Sequence, residues 1–275
     1  MTETTKTNIL DRLTEGITQL TSSDRWQEWL NMQSRFHHYS FNNTLLIMAQ
    51  RPDATRVAGY NAWRKLDRFV RKGEKGIWIL APMVYKTDSA DDTAEDTTAR
   101  VIRGFKPVPV FDLSQTEGQD LPEICTRLDG DDDANIFLRL RTVAAGLGFS
   151  VEDTDELLPG VNGDCSHQLH RIRVRTSNSP IQRVKTLAHE LGHALLHEQH
   201  DNRPLAELEA ESVAFVVCTS SGIDSDDYSF GYVATWVGGD DDARSAIKGS
   251  GTRIQRAADQ ILTAMSGEDL KEVAR

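Results

Sequence analysis

The sequence predicts an α+β architecture in two parts, and three observations carry that reading. Apolar residues at helical spacing dominate both ends of the chain. Two apolar runs suited to strands flank a polar insertion in the first half, and an acidic stretch, Asp129-Gly130-Asp131-Asp132-Asp133, breaks the pattern before the second. Residues 1–128 are therefore expected to form a mixed α/β domain with a small antiparallel sheet. Residues 134–275 are expected to form a second domain of helices and short strands.

The elements follow in order. Ile9, Leu13, Ile17 and Leu20 recur at helical spacing, as do Trp26, Trp29 and Leu30 after a break at 21–23, with Asp24 as the expected cap of the second helix. A third helix spans 41–49 and stops at Arg51-Pro52, because a residue before proline is pushed out of the helical region. Residues 62–66 read as a short helical turn. The turn 72–76 feeds an apolar strand at 77–80, and 103–111 reads as a strand returning to pair with it. Residues 87–99 hold almost no large apolar side chain and are expected to be an exposed, mobile hairpin insertion. Beyond the acidic stretch, 134–146 reads as a helix, and 149–152 and 170–175 as strands. Ser179 as N-cap and Pro180 in the first turn open a helix running to about 197. A further helix covers about 205–221, and the tail at 253–265 is amphipathic. There is no internal repeat.

Composition narrows the class. With 39% hydrophobic and 27% charged residues among 275, the chain reads as soluble and globular. No apolar run approaches the roughly 20 residues of a membrane span, so no membrane association is expected. The N-terminus lacks a basic segment followed by an apolar core, which argues against a signal peptide. Cys125, Cys165 and Cys218 are odd in number and widely spaced, unlike a disulfide framework or a cysteine zinc site. They are expected to be small buried side chains in a protein of the reducing cytoplasm. A net charge of −11 argues against nucleic-acid binding, but its distribution does not. Residues 1–86 carry 13 Lys and Arg against 8 Asp and Glu, and the remainder 18 against 34.

His189-Glu190-Leu191-Gly192-His193 fits H-E-x-x-H. Residues four apart share a helix face, so both imidazoles can bind one zinc or similar divalent ion, with Glu190 placed as general base for a water at the open position. This is the zincin pattern, and it predicts a metal-dependent endopeptidase. Fourteen residues past His193 comes Glu207-Leu208-Glu209-Ala210-Glu211, on the following helix. Glu207 is assigned as third ligand. Glu211, on the same face, then accepts a hydrogen bond from a ligand imidazole. Exchange of Glu207 and Glu211 stays open. Glu209 points to another face and is expected to be solvated. His197 is expected to pack or to be exposed near the helix end, not to ligate. Tyr228 and Tyr232 are candidate transition-state donors.

The segment 178–197, NSPIQRVKTLAHELGHALLH, followed by ELEAESVAFVV, resembles the ImmA/IrrE-type metallopeptidases. Its glutamate before the alanine-acidic pair resembles the third-ligand pattern of gluzincins, which supports Glu207. The resemblance implies a zincin-like fold, a bound divalent ion and a protein substrate. Glu211 departs from it, because many of those proteins have Asn or Asp there.

Between Arg51 and Lys75 stand eight Lys and Arg, three acidic residues and the rings Tyr60, Trp63 and Phe69. Cations that track phosphates and rings that stack on bases are what single-stranded DNA binding requires. Core aromatics beneath a solvated charged face would read the same way. The wording YSFNNTLLI at 39–47, ATRVAGY at 54–60, RKGEKGIWILAP at 71–82 and PVFD at 109–112, with Gln115 and Gly118, resembles the N-terminal domain of ArdC-type antirestriction proteins. That resemblance implies single-stranded DNA binding joined to a zinc-peptidase-like domain. On it, Ser40, Asn42 and Asn43 are candidate sugar or phosphate contacts, and Arg71, Lys72 and Lys75 candidate phosphate contacts. A protective DNA-binding protein with a structural metal, and a peptidase that cleaves a repressor, are the rival readings.

Overall fold

The protein is described from a computed structural model covering residues 3–86, 100–120, 133–199, 202–223 and 240–267. It is α+β, with small sheets among eight α-helices in the described residues. Contacts group Met1–Gly16 with Leu45–Asp120, and Ile17–Thr44 with Leu121–Arg275. This partition differs from the expected 1–128 and 134–275, because the stretch after the first helix packs with the C-terminal elements.

In the first unit, helix α1 (Glu3–Gln19) contributes its residues up to Gly16 and α3 (Phe41–Gln50) those from Leu45 onward, and α4 spans Tyr60–Lys65. Strand β3 (Ile77–Lys86) pairs antiparallel with β4 (Arg100–Asp112), Ile77 opposite Val110, and β1 (Val57–Ala58) joins the other side of β4. Strands β2 (Arg68–Val70) and β5 (Thr116–Gly118) form a separate antiparallel pair. The expected hairpin is thus present and longer at both ends. Its connecting loop, and the acidic stretch at 129–132, lie outside the described residues.

The motif residues near 112 are structural. Asp112 is buried and accepts from the backbone N–H of Thr55 and Arg56 at 2.8 and 3.0 Å, anchoring the chain before β1. Gln115 Nε2 donates to Glu74 Oε2 at 3.0 Å and to the Lys75 carbonyl at 2.8 Å, which pins the turn before β3.

In the second unit, α2 (Ser23–Arg35) is capped by Ser22, whose side chain accepts from Arg25 N–H, and not by Asp24 as expected. Ser22 has the extended backbone a cap needs, whereas Asp24 already lies in the first helical turn. Trp26, Trp29 and Phe41 are fully buried, with neighbouring ring centroids 5.1 Å apart. Trp26 Nε1 donates to Ser212 Oγ at 3.1 Å, which ties α2 to α7 (Arg203–Ser220). Helix α5 (Asp133–Gly146) leads to a three-stranded sheet ordered β6 (Ser150–Thr154), β8 (Arg171–Arg175), β7 (Gly163–Ser166). β6 runs parallel to β8, and β7 antiparallel to it at the sheet edge. Helices α6 (Pro180–Leu196) and α8 (Asp240–Ser266) complete the unit. Val184, Leu187, Ala188 and Leu191 of α6 are wholly buried; each leucine contributes about 1.5–3 kcal/mol to holding the helix in place. No helix among the described residues is long and apolar enough to cross a membrane.

Candidate metal centre

Helix α6 starts where Ser179 accepts from Gln182 N–H and Pro180 fills the first turn, both as the sequence indicates. His189, Glu190 and His193 fall three turns in. Gly192 lies between them because α7 crosses there: a Cβ at Gly192 would stand 2.9 Å from Ala210 Cα. That close crossing lets the α7 carboxylates reach the α6 imidazoles. β7 closes the other side just as tightly. A Cβ at Gly163 would meet Thr186 Cγ2 at 2.5 Å and Glu190 Oε1 at 3.2 Å. The result is an open cleft of about 740 Å³ whose floor is α6, with Glu207 on one side and the β7 edge on the other.

The two imidazole Nε2 atoms are 3.0 Å apart. Glu207 Oε2 lies 3.4 Å from the first and 3.7 Å from the second. The outward nitrogens have other partners. His189 Nδ1 is 2.9 Å from Glu211 Oε2; His193 Nδ1 is 2.9 Å from His197 Nδ1, and His197 Nε2 is 3.2 Å from Glu209 Oε2. One proton arrangement satisfies the chain: His189 donates to Glu211, His193 donates to His197, and His197 donates to Glu209. Both Nε2 atoms then turn lone pairs toward each other and toward a carboxylate. Three acceptors this close repel unless a cation lies among them, and an N,N,O donor set is one that zinc-type ions take.

A proton is the smallest cation that relieves the repulsion. Burial disfavours a charged His189, but the Glu207 and Glu211 carboxylates outweigh it and raise its pKa to about 10. Hydrogen bonds from His189 and His193 hold the Glu207 carboxyl far below the usual range. Glu190 is buried, which raises its pKa to about 7 against the opposing pull of His189, with the Asp164 and Glu207 carboxylates adding to the rise.

Glu209 departs from expectation, while His197 packs near the helix end, one of the two readings expected of it. Glu209 is fully buried, not solvated, and its carboxylate accepts from Ser250 Oγ at 2.6 Å, from Arg253 and from His197. The His197 side chain, 4% exposed, bridges His193 to that carboxylate. Leu205, Glu209, Val213 and Val217 recur every four residues, so the sequence does hold a signal that Glu209 sits on an apolar face. Nothing in it identifies Ser250 and Arg253 as partners. β7 also escapes the sequence, since its four half-buried residues show no alternation. Within β7, burial first and then the Glu190 and Asp164 carboxylates raise the Cys165 pKa to about 12. It lines the cleft as a neutral thiol. Cys218 is buried, and Cys125, Tyr228 and Tyr232 lie outside the described residues.

The nucleic-acid candidates are divided between the two units. Ser40, Asn42 and Asn43 belong to the second unit, and Tyr60, Trp63, Arg71, Lys72 and Lys75 to the first. The Ser40 carbonyl accepts from Asn43 and Thr44 N–H and so starts α3. Asn42 Oδ1 is buried without a hydrogen-bond partner among the described residues. Trp63 is core, 1% exposed, with Nε1 donating to the Phe111 carbonyl at 2.9 Å, so it cannot stack on a base. Arg68 is likewise buried, donating to Thr116 and the Gln119 carbonyl. Arg71 is held by Glu74 at 3.0 Å and by the Ser114 carbonyl at 2.5 Å. Tyr60 and Phe69 are half exposed, and Arg64, Lys65, Lys72 and Lys75 are exposed.

Residues 2–111 match the N-terminal domain of anti-restriction factor ArdC, and residues 150–221 match the IrrE N-terminal-like domain of the M78 peptidases. The crystal structure of the antirestriction protein ArdC from plasmid R388, metal-free, is similar with a TM-score of 0.51 and 23% identity, covering 83% of this chain and 85% of that one. Its Mn(II)-bound form is similar with a TM-score of 0.50 and 22% identity over the same shares. The uncharacterized protein pXO2-81 of Bacillus anthracis is 23% identical over 298 residues, which span 94% of this chain but 50% of that protein. The chain thus spans about half the length of that relative.

Proposed function

Because the chain joins an ArdC-type N-terminal domain to an IrrE-like domain on the ArdC fold, we propose that it is a DNA-associated metallopeptidase with an antirestriction or DNA-protecting role. Residues 1–128 are assigned to single-stranded DNA and 134–275 to peptide hydrolysis. The observation that carries the peptidase reading is the convergence of His189 Nε2, His193 Nε2 and Glu207 Oε2 beside the Glu190 carboxylate. His189, His193 and Glu207 would hold one divalent ion, zinc or manganese, the latter bound by the R388 protein. Such an ion supplies Lewis acidity to a carbonyl and brings the pKa of water toward about 7.

The chain's own groups do the rest. Glu190, balanced near neutrality, takes a proton from the attacking water and returns it to the leaving amine. Glu211 and His197 fix the two ligand imidazoles by accepting at Nδ1. The outer edge of β7, unpaired among the described residues, offers backbone groups along the cleft, so an extended peptide can add as a further strand and present its carbonyl beside Glu190. A folded helix could not pair with that edge, which favours extended or unfolded segments as substrates.

For DNA, the exposed rings Tyr60 and Phe69 and the exposed cations Arg64, Lys65, Lys72 and Lys75 supply stacking and phosphate contacts. The deciding experiment compares Glu190→Gln with the parent protein on labelled casein, with and without a thymidine oligonucleotide. The variant is expected to keep its metal stoichiometry and to lose about 10²–10⁴-fold in cleavage. Retained cleavage would refute the role of Glu190. A parent protein that cleaves nothing, and a variant that protects DNA equally well, would leave a binding protein with a structural metal.

A further inference from the structure

We propose that His37, His38 and Asp259 form a second divalent-cation site, which shares no residue with the cleft and takes a zinc-type ion. His37 and His38 follow the C-cap Phe36 in the segment joining α2 to α3, and Asp259 lies on α8. Both Nδ1 atoms aim at one carboxylate oxygen: His37 Nδ1 is 3.1 Å and His38 Nδ1 2.9 Å from Asp259 Oδ1. One ligand atom from each residue lies within 4.8 Å of those of the other two. An ion with ligands at about 2.0–2.1 Å in tetrahedral geometry sets neighbouring ligands ~3.3 Å apart, close to the two separations seen here.

The surroundings hold the donors in this arrangement. The His37 carbonyl accepts from Gln255 Nε2 at 3.0 Å, one helical turn before Asp259, and from Gln33 Nε2 at 3.3 Å. Backbone and carboxylate are therefore fixed together from α8. The imidazole rings lie 3.8 Å apart, so neither has room to swing into the other. The side chains are 23%, 40% and 29% exposed, sheltered yet open to an incoming ion and to a water as fourth ligand. Two nitrogens and one oxygen suit zinc, cobalt or nickel far better than calcium or magnesium, which require mostly oxygen. The ion would clamp the α2–α3 segment, with Ser40 and Asn42 just beyond it, onto α8.

The test counts metal. Untagged full-length protein, stripped with chelator and dialysed against zinc, is expected to bind two equivalents, and His38→Ala one. In a His189→Ala/His193→Ala background one equivalent should remain, give visible d–d absorption when replaced by cobalt, and disappear with Asp259→Asn. His38 is exposed enough for its variant to fold, which circular dichroism in chelator checks, so it decides the matter even where Asp259→Asn is unstable. Two equivalents in His38→Ala would overturn the proposal. So would a single equivalent in the parent protein that is lost on changing His189 and His193, the result expected if the histidines only donate hydrogen bonds to Asp259.

Discussion

In the cleft, three donor atoms from two helices converge within 3.7 Å, and each of the two imidazoles is steadied by a further side chain. On the basic stretch of the first unit the cations diverge. Lys72 and Lys75 face outward, while Arg68 is buried against the Gln119 carbonyl and Arg71, although exposed, is tied down by the Ser114 carbonyl. The difference shows what each kind of site needs from its fold. A metal centre is a point, and its strength comes from crowding like groups that only a cation reconciles. A surface for a polyanion is an area, and its strength comes from spreading charge that water already solvates. Damage should therefore be large and cooperative in the cleft, small and additive on the basic face.

The largest effect is expected at Glu209, behind the cleft. Removing it leaves Arg253, Ser250 and His197 without their common acceptor in a fully buried position. Glu209→Ala should cost about 3–5 kcal/mol of stability, measured by urea unfolding. Burial raises the Glu209 pKa, but the bonds from His197, Arg253 and Ser250 prevail and bring it to about 2. A folded pKa below the unfolded one stabilises at pH above the unfolded value, and that contribution fades as pH falls toward 2. About 3 kcal/mol should thus vanish between roughly pH 5 and pH 2 in the parent and be missing from the variant. A variant with the parent's acid unfolding curve would mean that the buried network is energetically idle.

One step closer to the three donor atoms, the expected effect moves from stability to metal affinity. Glu211→Gln keeps an acceptor for His189 Nδ1 but removes its charge. Zinc affinity, by competition with a chromophoric chelator, should fall about 10–100-fold with the thermal midpoint of the metal-free protein little changed. If affinity collapses altogether, Glu211 is a ligand and Glu207 the supporting group.

The same contrast explains what could be read without a structure. H-E-x-x-H works through i, i+4 geometry that any helix enforces, and Glu207 and Glu211 repeat that spacing, so convergence was written locally. Ser179-Pro180 is an equally local signal. The hairpin of β3 and β4 was legible because apolar runs flank a polar insertion. What escaped depends on distant partners: Glu209 is buried by α8, β7 is a strand only through β8, and Trp63 and Arg68 are removed from the basic face by backbone carbonyls some 48–51 residues along the chain. Asp112 and Gln115 carry a recognisable motif, yet their side chains serve the turns beside them.

Tyr60 and Trp63 sharpen the comparison within three residues of each other. Tyr60→Ala removes a half-exposed ring and should weaken binding of a thymidine oligonucleotide about tenfold, within the ~1–3 kcal/mol of one stacked base, with unchanged stability. Trp63→Ala should instead lower stability by about 3–5 kcal/mol. A Tyr60 variant that binds DNA normally would place the stacking surface elsewhere, with Phe69 the next ring to change.

The smallest effect is expected from Lys72 and Lys75, and it is best read as a slope. If each meets one phosphate, the double change to alanine releases two fewer counterions, and the plot of log affinity against log salt should become shallower by about 1.4. Neither lysine has an ion pair among the described residues, so no internal partner is left behind and stability should stay within about 0.5 kcal/mol. Weaker binding with an unchanged slope would mean that the pair shapes the turn and does not touch DNA. Arg71→Ala is the control for that outcome: it unties Glu74 and the Ser114 carbonyl, so it should disturb the turn itself and lower stability where the lysines do not.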